Sequence, residues 1–288
     1  MRNLLWIIVL AIIFMGEVQL WAKPKKRPMA DPPKPTPKQE LQIKKNITVP
    51  PKKLSSDQDL HKNIRHFNSS VWIEKIPMYD QGVRPECAIA VVRRLLDYYA
   101  KGNHVDMKAL RSALGYRKEF GTNLGVMVQA IQRYSTRLRL RFQSLYDFKM
   151  TKDDLMAYNQ KTDSRRSRGK LDSNVLDWSE FVKDLDFNAW RQMRCTVHRH
   201  EQRDAWKAIA RSIDQGIPVC WSVYLGMMKE QKQRLPSGGH LRLIIGYDAN
   251  RNRIYYSDSW GAGHEKKEMP WEDAWAITWH LFVLDPMN

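Results

Sequence analysis

The feature that most constrains the fold is a change of hydrophobic pattern at Gly216. Before it, apolar residues recur at helical spacing; after it, short runs rich in β-branched and aromatic residues alternate with turn residues. These runs are GIPVCWSVYLG, HLRLIIGYD, NRIYYSDSWG and AITWHLFVLD. Helices followed by strands predict an α+β fold, in which a helical half packs against an antiparallel sheet.

In the helical half, the stretch YDQGVRPECAIAVVRRLLDYY (79–99) begins as a turn-rich loop and continues as an amphipathic helix. Ala88, Val91 and Leu95 are among the apolar residues that form one stripe, which predicts a helix from about Cys87 to Ala100. The pattern predicts further elements: strands at 71–76 and 138–142, and helices at 106–114, from 121 onward and at 203–215.

The 288 residues carry a formal charge of +17, and this charge is unevenly distributed. Residues 23–66 are rich in Lys and Pro and poor in large apolar residues, so we expect a disordered or extended tether. Residues 67–288 are expected to form the globular domain. Within it, residues 150–200 are less regular and contain a basic loop at 161–174.

The N-terminal segment, residues 1–22, has an apolar run from Leu4 to Met15 that is typical of the core of a signal peptide. An uncleaved signal anchor is the alternative, because Leu20 stands where a small residue is preferred before cleavage after Ala22. Either interpretation predicts an exported protein: secreted, periplasmic, or anchored in a membrane and facing outward.

The basic tether is either a solvated spacer or a segment attracted to an anionic surface, such as a membrane or a wall polymer. Specific nucleic-acid binding is not expected, because the basic residues from Arg165 to Lys170 lack interleaved aromatic side chains. His198 and His200 lie on alternate positions without a nearby carboxylate or cysteine at metal spacing, so no metal site is predicted.

The chain has three cysteines, too few for a disulfide scaffold. Cys220 lies in an apolar run and Cys195 in a basic one, whereas Cys87 lies at the start of the predicted helix. A helix N-terminus favours the thiolate form, so Cys87 is the candidate nucleophile.

A nucleophilic thiol needs a base and a group that orients the base. His240 follows Gly238 and Gly239 at the start of one predicted strand, and Asp258 ends the next. If these strands pair through the ANRN turn, His240 and Asp258 lie near the same end of the hairpin. Gln81 offers an amide donor to an oxyanion near Cys87.

The order of these residues resembles the papain-like cysteine peptidase superfamily. Gln81 precedes Cys87 by the family's six residues, and His240 to Tyr247 matches the motif H-x-x-x-x-x-G-Y. Asp258-Ser259-Trp260-Gly261 matches N-S-W-G, with Asp in place of Asn, as in the C39-like, bacteriocin-processing branch. The resemblance covers roughly residues 71–285.

The resemblance implies a papain-like fold, a Cys87–His240–Asp258 triad and Gln81 as an oxyanion donor. It also implies that Trp260 covers the His–Asp hydrogen bond. The chain departs from papain around the nucleophile, where Cys-Gly-Ser-Cys-Trp is replaced by Arg84-Pro85-Glu86-Cys87-Ala88. Glu86 places a negative charge beside the thiol, which we expect to raise the thiol pKa.

The predicted function is therefore an exported thiol hydrolase that cleaves peptide or amide bonds of a peptide or protein substrate, without a metal or organic cofactor. Two alternatives stay open: an acyltransferase or transglutaminase-like enzyme with the same thiol chemistry, and a non-catalytic binding domain. Arg84, Arg242 and the basic middle segment would favour acidic or carboxylate-bearing peptides near the cleft.

Overall fold

The computed structural model describes residues 36–48, 55–100, 105–162, 181–182, 185–230, 233–235 and 237–287. The predicted signal segment, the first part of the predicted tether and most of the basic loop at 161–174 lie outside these residues.

Nine named helices lie in the described part of the chain, mostly before the main strands. They are α1 (Pro37–Asn46), α2 (Asp57–His61), α3 (Cys87–Tyr99), α4 (Met107–Ala113), α5 (Leu124–Leu138), α6 (Lys152–Lys161), α7 (Phe187–Val197), α8 (Arg199–Asp214) and α9 (Trp271–Ile277). Asp106 caps α4 through a hydrogen bond to Ala109 N, and Asn123 caps α5, as their side-chain oxygens allow.

The strands of the described residues form one eight-stranded sheet and a separate hairpin. The strands are β1 (Ile64–Phe67), β2 (Ser70–Ile73), β3 (Leu140–Asp147), β4 (Val219–Leu225), β5 (Lys229–Glu230), β6 (Gln233–Arg234), β7 (Gly238–Asp248), β8 (Arg253–Ser257), β9 (Lys267–Pro270) and β10 (Thr278–Pro286). Their order in the large sheet is β1-β2-β7-β4-β10-β3, β8 also pairs with β7 and with β9, and β5 pairs with β6.

The predicted α+β class is confirmed: helices pack against an antiparallel sheet, as in the papain-like fold. α3 packs against β7 and α5 against β3, so the apolar stripe of each helix faces the sheet. Ile89, Val92 and Leu96 on α3 are completely buried in the resulting core. This packing places the N-terminus of α3 beside the first residues of β7.

The N-terminal region differs from the predicted disordered or extended tether in its described part. Residues 37–46 form α1, and Ile43 and Ile47 are buried where this helix packs near α4. Thr36 and Gln39 form a reciprocal capping box at its start. Apolar residues one helical turn apart are enough to dock a short helix on the domain, despite the Lys- and Pro-rich composition.

Several element boundaries differ from the sequence prediction, and one strand was missed. The strand expected at 138–142 is β3, which begins at Leu140 because α5 continues to Leu138. α8 begins at Arg199, four residues earlier than expected, and β9 was not predicted. The polar KEMP segment has no strand pattern of its own, and its pairing with β8 makes it a strand.

No helix within the described residues is both long and apolar enough to cross a lipid bilayer.

Gly246 should be required for the close approach of β2 to β7. A Cβ at this position would contact Val71 O and lie 2.6 Å from Trp72 Cβ. We expect Gly246→Ala to lower the free energy of unfolding by about 1–3 kcal/mol, as overpacking does. Gly239→Ala is the control, since a Cβ there meets no atom within 4 Å. Equal stability of the two variants in urea denaturation would contradict this account.

Candidate active site

Cys87 is the first residue of α3, where the sequence predicted it. Its side chain is half-buried and lines a cavity. The thiol hydrogen-bonds with His240, and the backbone N–H groups of Ala88 and Leu241 also favour its charged form. An unsatisfied backbone N–H at a helix start stabilises negative charge, so this location suits a thiolate.

His240 and Asp258 meet because β7 and β8 form the predicted hairpin. Leu243 pairs with Ser257, so Asp258, the next residue, lies across from the first half of β7. His240 Nε2 donates to Asp258 Oδ1 over 2.6 Å, and both side chains are buried. This bond leaves Nδ1 as the ring nitrogen that faces Cys87.

Trp260, Ser259 and Gln81 form the surroundings of this pair. Trp260 stacks on His240, with ring centroids 4.7 Å apart and planes at 15°. Ser259 Oγ donates to Gln81 Oε1 (2.6 Å), and Gln81 N donates to Ser259 O (2.9 Å). The D-S-W-G segment therefore fixes the base on one side and the candidate oxyanion donor on the other.

The comparisons with known proteins agree with this arrangement. A family model described as the Peptidase_C39 like family matches residues 73–283, which is most of the chain. The chain belongs to this family. At the level of the family it is a papain-like cysteine peptidase, and the resemblance stated from the motifs is confirmed.

Among solved structures, xylellain, a cysteine protease from Xylella fastidiosa, is similar over a short part only. It is 22% identical, with a TM-score of 0.24, over 30% of this chain and 37% of that protein. The match spans well under half the length of xylellain. No curated protein matches the sequence.

The electrostatics of this C39-like site favour an ion pair between Cys87 and His240. Burial acts most strongly on the His240 pKa and lowers it, but Asp258 and then Cys87 outweigh it and raise the pKa to about 9. Burial likewise acts to raise the Cys87 pKa, and the bond and charge of His240 bring it below its ordinary value. The Asp258 pKa is lowered: burial opposes this, and His240 and Arg242 overcome it.

Arg111 offsets the effect on the thiol that was expected from Glu86. Glu86 is almost completely buried, and its carboxylate accepts two hydrogen bonds from Arg111, at 3.2 and 2.9 Å. Tyr79 Oη adds a weaker contact at 3.4 Å. Since Arg111 neutralises the carboxylate, Glu86 does not prevent the lowering of the Cys87 pKa.

Replacement of Arg111 should allow Glu86 to raise the Cys87 pKa. We expect Arg111→Gln to raise the Cys87 pKa, because the buried Glu86 carboxylate, one residue away, then loses its nearer cation and retains the longer contact with Arg84 at 3.8 Å. Alkylation of Cys87 by iodoacetamide at pH 6 should slow by about three- to tenfold. Arg191→Gln, which removes an arginine of similar exposure from its ion pair with Asp273, is the control. Equal rates in the two variants would contradict the assignment.

Arg242 is not available to a substrate, in contrast to the expectation from sequence. Its side chain is completely buried; Nε donates to Asp258 Oδ2 over 2.8 Å, and the guanidinium also contacts Glu230 at 2.9 Å. Arg84 differs, since its side chain is largely exposed and lines the cavity. The sequence contained a signal that Arg242 lies near the His240 site. Arg242 follows His240 by two residues on a predicted strand, and such residues share a face of the sheet. Glu230 carried no such signal.

The cavity beside Cys87 has a volume of about 460 Å³. Gln81, Cys87, His240 and Trp260 line it, and its remaining wall is mainly apolar, with Phe148, Tyr224, Leu235 and Trp279. The cavity is therefore large enough for part of a peptide, and the reactive groups lie in its wall.

The other cysteines and the His198–His200 stretch lie elsewhere. Cys195 is half-buried and Cys220 is buried; burial raises the pKa of both thiols. His198 bonds to Asp154 at 2.8 Å. Within the described residues no group of three or more His, Cys, Asp or Glu side chains could hold a metal ion.

Proposed function

We propose that the protein is a thiol hydrolase that cleaves peptide or amide bonds with Cys87 as nucleophile, His240 as base and acid, and Asp258 as orienting carboxylate. The observation that carries this proposal is the hydrogen-bonded series Cys87–His240–Asp258 in the wall of an open cavity. Family membership supports the general reaction class.

In the proposed mechanism, His240 keeps Cys87 as a thiolate, which attacks the carbonyl carbon of the substrate. The carbonyl oxygen becomes an oxyanion near the N-terminus of α3. His240 then transfers its proton to the leaving amine, and water, activated by the neutral imidazole, releases the acyl group from Cys87. Asp258 keeps Nε2 protonated throughout, so that Nδ1 exchanges the proton.

Gln81 is the proposed side-chain donor to the oxyanion, together with the backbone N–H of Cys87. Its amide orientation is fixed at both atoms: Oε1 accepts from Ser259 Oγ, and Nε2 donates one hydrogen to Arg84 O over 2.9 Å. An amide Nε2 carries a second hydrogen. Donors fixed before the reaction stabilise an oxyanion without the cost of reorienting them.

Exposure of the full chain to a mixed peptide library, with products identified by mass spectrometry, tests the proposal. Cleavage by the wild type and loss of cleavage in Cys87→Ala are expected, while Cys195→Ala keeps the activity. An added primary amine distinguishes hydrolysis from acyl transfer, because a transferase forms the amide adduct instead of the acid. If the folded protein gives neither cleavage products nor an amine adduct, the binding-domain alternative is favoured.

The same library tests the substrate class. With Arg242 enclosed, the mainly apolar wall of the cavity supports a preference for apolar side chains near the scissile bond. Enrichment of acidic residues at the cleavage sites would contradict this preference.

We also propose export of the protein, on the basis of the apolar run from Leu4 to Met15. N-terminal sequencing of the protein recovered from cell fractions separates a cleaved signal peptide from an anchor. Release of the cleaved protein from the membrane or wall fraction by salt would indicate attraction of the basic segment to an anionic surface. Intact protein in the cytosolic fraction alone would contradict export.

A further inference from the structure

A buried arginine lies directly behind the His240–Asp258 pair. The guanidinium of Arg242 is completely buried, and Nε donates to Asp258 Oδ2 over 2.8 Å. The other carboxylate oxygen, Oδ1, accepts from His240 Nε2 and from Ser259 N. Both oxygens of Asp258 are therefore held, which fixes the plane of the carboxylate.

A second carboxylate lies on the far side of this arginine. Glu230, on β5, contacts the guanidinium with both oxygens, at 2.9 and 3.2 Å, and also accepts from Tyr256 Oη at 3.2 Å. The side chain of Glu230 is buried as well. The result is a row of groups with alternating charge, which begins at the half-buried Cys87 and continues through four buried side chains: His240, Asp258, Arg242 and Glu230.

The charge of Glu230 has a specific consequence for Asp258. A carboxylate between two cations divides its attraction between them, and in a buried site each interaction is strong. Glu230 offsets the positive charge of Arg242, so Asp258 remains an effective partner for the imidazolium form of His240. Arg242 thereby orients Asp258 without cancelling its charge.

Burial of an arginine in this fold does not by itself require two carboxylates. Arg194 is also completely buried, yet it donates to the carbonyls of Trp275 and Thr278 and lies 3.6 Å from the centroid of the Phe148 ring. The two-carboxylate arrangement of Arg242 is thus not a general consequence of burial.

We propose that Arg242 and Glu230 are positioning residues of the thiol site: Arg242 orients the Asp258 carboxylate toward His240, and Glu230 balances the guanidinium charge. This inference rests on the proposed thiol function. The other charged or titratable groups around Asp258 and His240 are Cys87 and Arg94 from α3, and Glu265, His264 and Lys267 after β8.

Glu230→Gln in the full chain is the decisive variant, because the amide keeps the shape of the side chain and can still accept from Arg242. Arg242→Lys keeps the charge but loses the planar fork that reaches both carboxylates. Arg194→Met is the matched control for the loss of a buried guanidinium. Three properties of each variant are measured. NMR with ¹³C-labelled histidine follows the titration of His240, and circular dichroism checks folding. The third property is the rate at which iodoacetamide alkylates Cys87 at pH 6.

In Glu230→Gln we expect the titration midpoint of His240 to fall by about half to one pH unit. Alkylation should then slow about three- to tenfold. Arg242→Lys should slow alkylation similarly, with a smaller change in the titration, and Arg194→Met should change neither. If Arg242→Lys does not fold, Glu230→Gln decides.

A folded Glu230→Gln protein with wild-type titration and alkylation would overturn the inference, as would equal effects in Arg194→Met. The proposed function fails separately, if Cys87 of the wild type reacts no faster at pH 6 than Cys87 of His240→Ala. If the wild-type thiol is activated and Glu230→Gln shows the same titration and alkylation as the wild type, the positioning role is refuted but the proposed function is not.

Discussion

Replacement of His240 by alanine should slow the alkylation of Cys87 at pH 5.5 by at least tenfold. An ordinary thiol with a pKa of about 8.5 is only about 10⁻³ ionised at this pH, so full ionisation by itself gives a limit of about 10³-fold relative to such a thiol. The effect is smaller than this limit because a thiolate of low pKa is also intrinsically less nucleophilic. Without His240, burial of the thiol is no longer offset, and its pKa rises.

Site-resolved mass spectrometry gives two references for this experiment. Cys195 in the same protein is half-buried, and burial raises its pKa, so it should react slowly in every variant at pH 5.5. His280→Ala is the matched variant, since His280 lines the same cavity but bonds to Ser144 at 2.9 Å. If His280→Ala slowed Cys87 as much as His240→Ala, the specific ion pair would be refuted.

Replacement of Cys87 by alanine should change how the stability of the protein depends on pH. The His240 pKa is raised from 6.5 to about 9, so its contribution is full below pH 6.5 and is lost as the pH rises toward 9. The Cys87 pKa is lowered from 9.0, so its contribution is full above pH 9.0 and is lost as the pH falls. Between pH 6.5 and 9 the contributions of His240 and Cys87 to stability change in opposite directions, because the proton that leaves the thiol is held by the imidazole.

The wild type should therefore change little over this range, by less than about 1 kcal/mol from this pair. Cys87→Ala keeps only the contribution of His240 and should lose up to about 3 kcal/mol between pH 6.5 and 9, which corresponds to the shift of the His240 pKa. The loss is an upper value, because Cys87 itself contributes to that shift.

Urea denaturation at pH 6.5 and pH 9 measures this difference. Other titrating groups are common to both proteins and cancel in the comparison. Cys195→Ala is the control, because its thiol accepts a hydrogen bond from the neutral Gln202 amide, and its pH dependence should follow the wild type. A pH dependence of Cys87→Ala parallel to the wild type would mean that no proton is shared between Cys87 and His240.

Much of the site was predictable because its members carry short-range signals. The stripe on α3 placed Cys87 at a helix start, and the ANRN turn between two apolar runs placed His240 and Asp258 at one end of a hairpin. The structure brings these residues together with Gln81 and Trp260. Their catalytic roles stay predictions until they are measured.

The missed features depend on partners that are distant along the chain. Composition suggested an extended chain where α1 docks through Ile43 and Ile47, because average charge conceals two well-spaced apolar residues. Glu86 suggested a less acidic thiol, since nothing near it in sequence indicated Arg111. Arg242 suggested a substrate contact, since Glu230 precedes it by a stretch without a regular pattern.

By itself, the sequence determined the α+β class, the family and the order of the reactive residues, because periodicity and motif spacing are local properties of the chain. The tertiary structure alone decided the charge balance around Cys87: which carboxylate is neutralised, which arginine is enclosed, and which is exposed at the cavity. These outcomes depend on burial and on the partner of each charge, and both are set only when distant segments pack together.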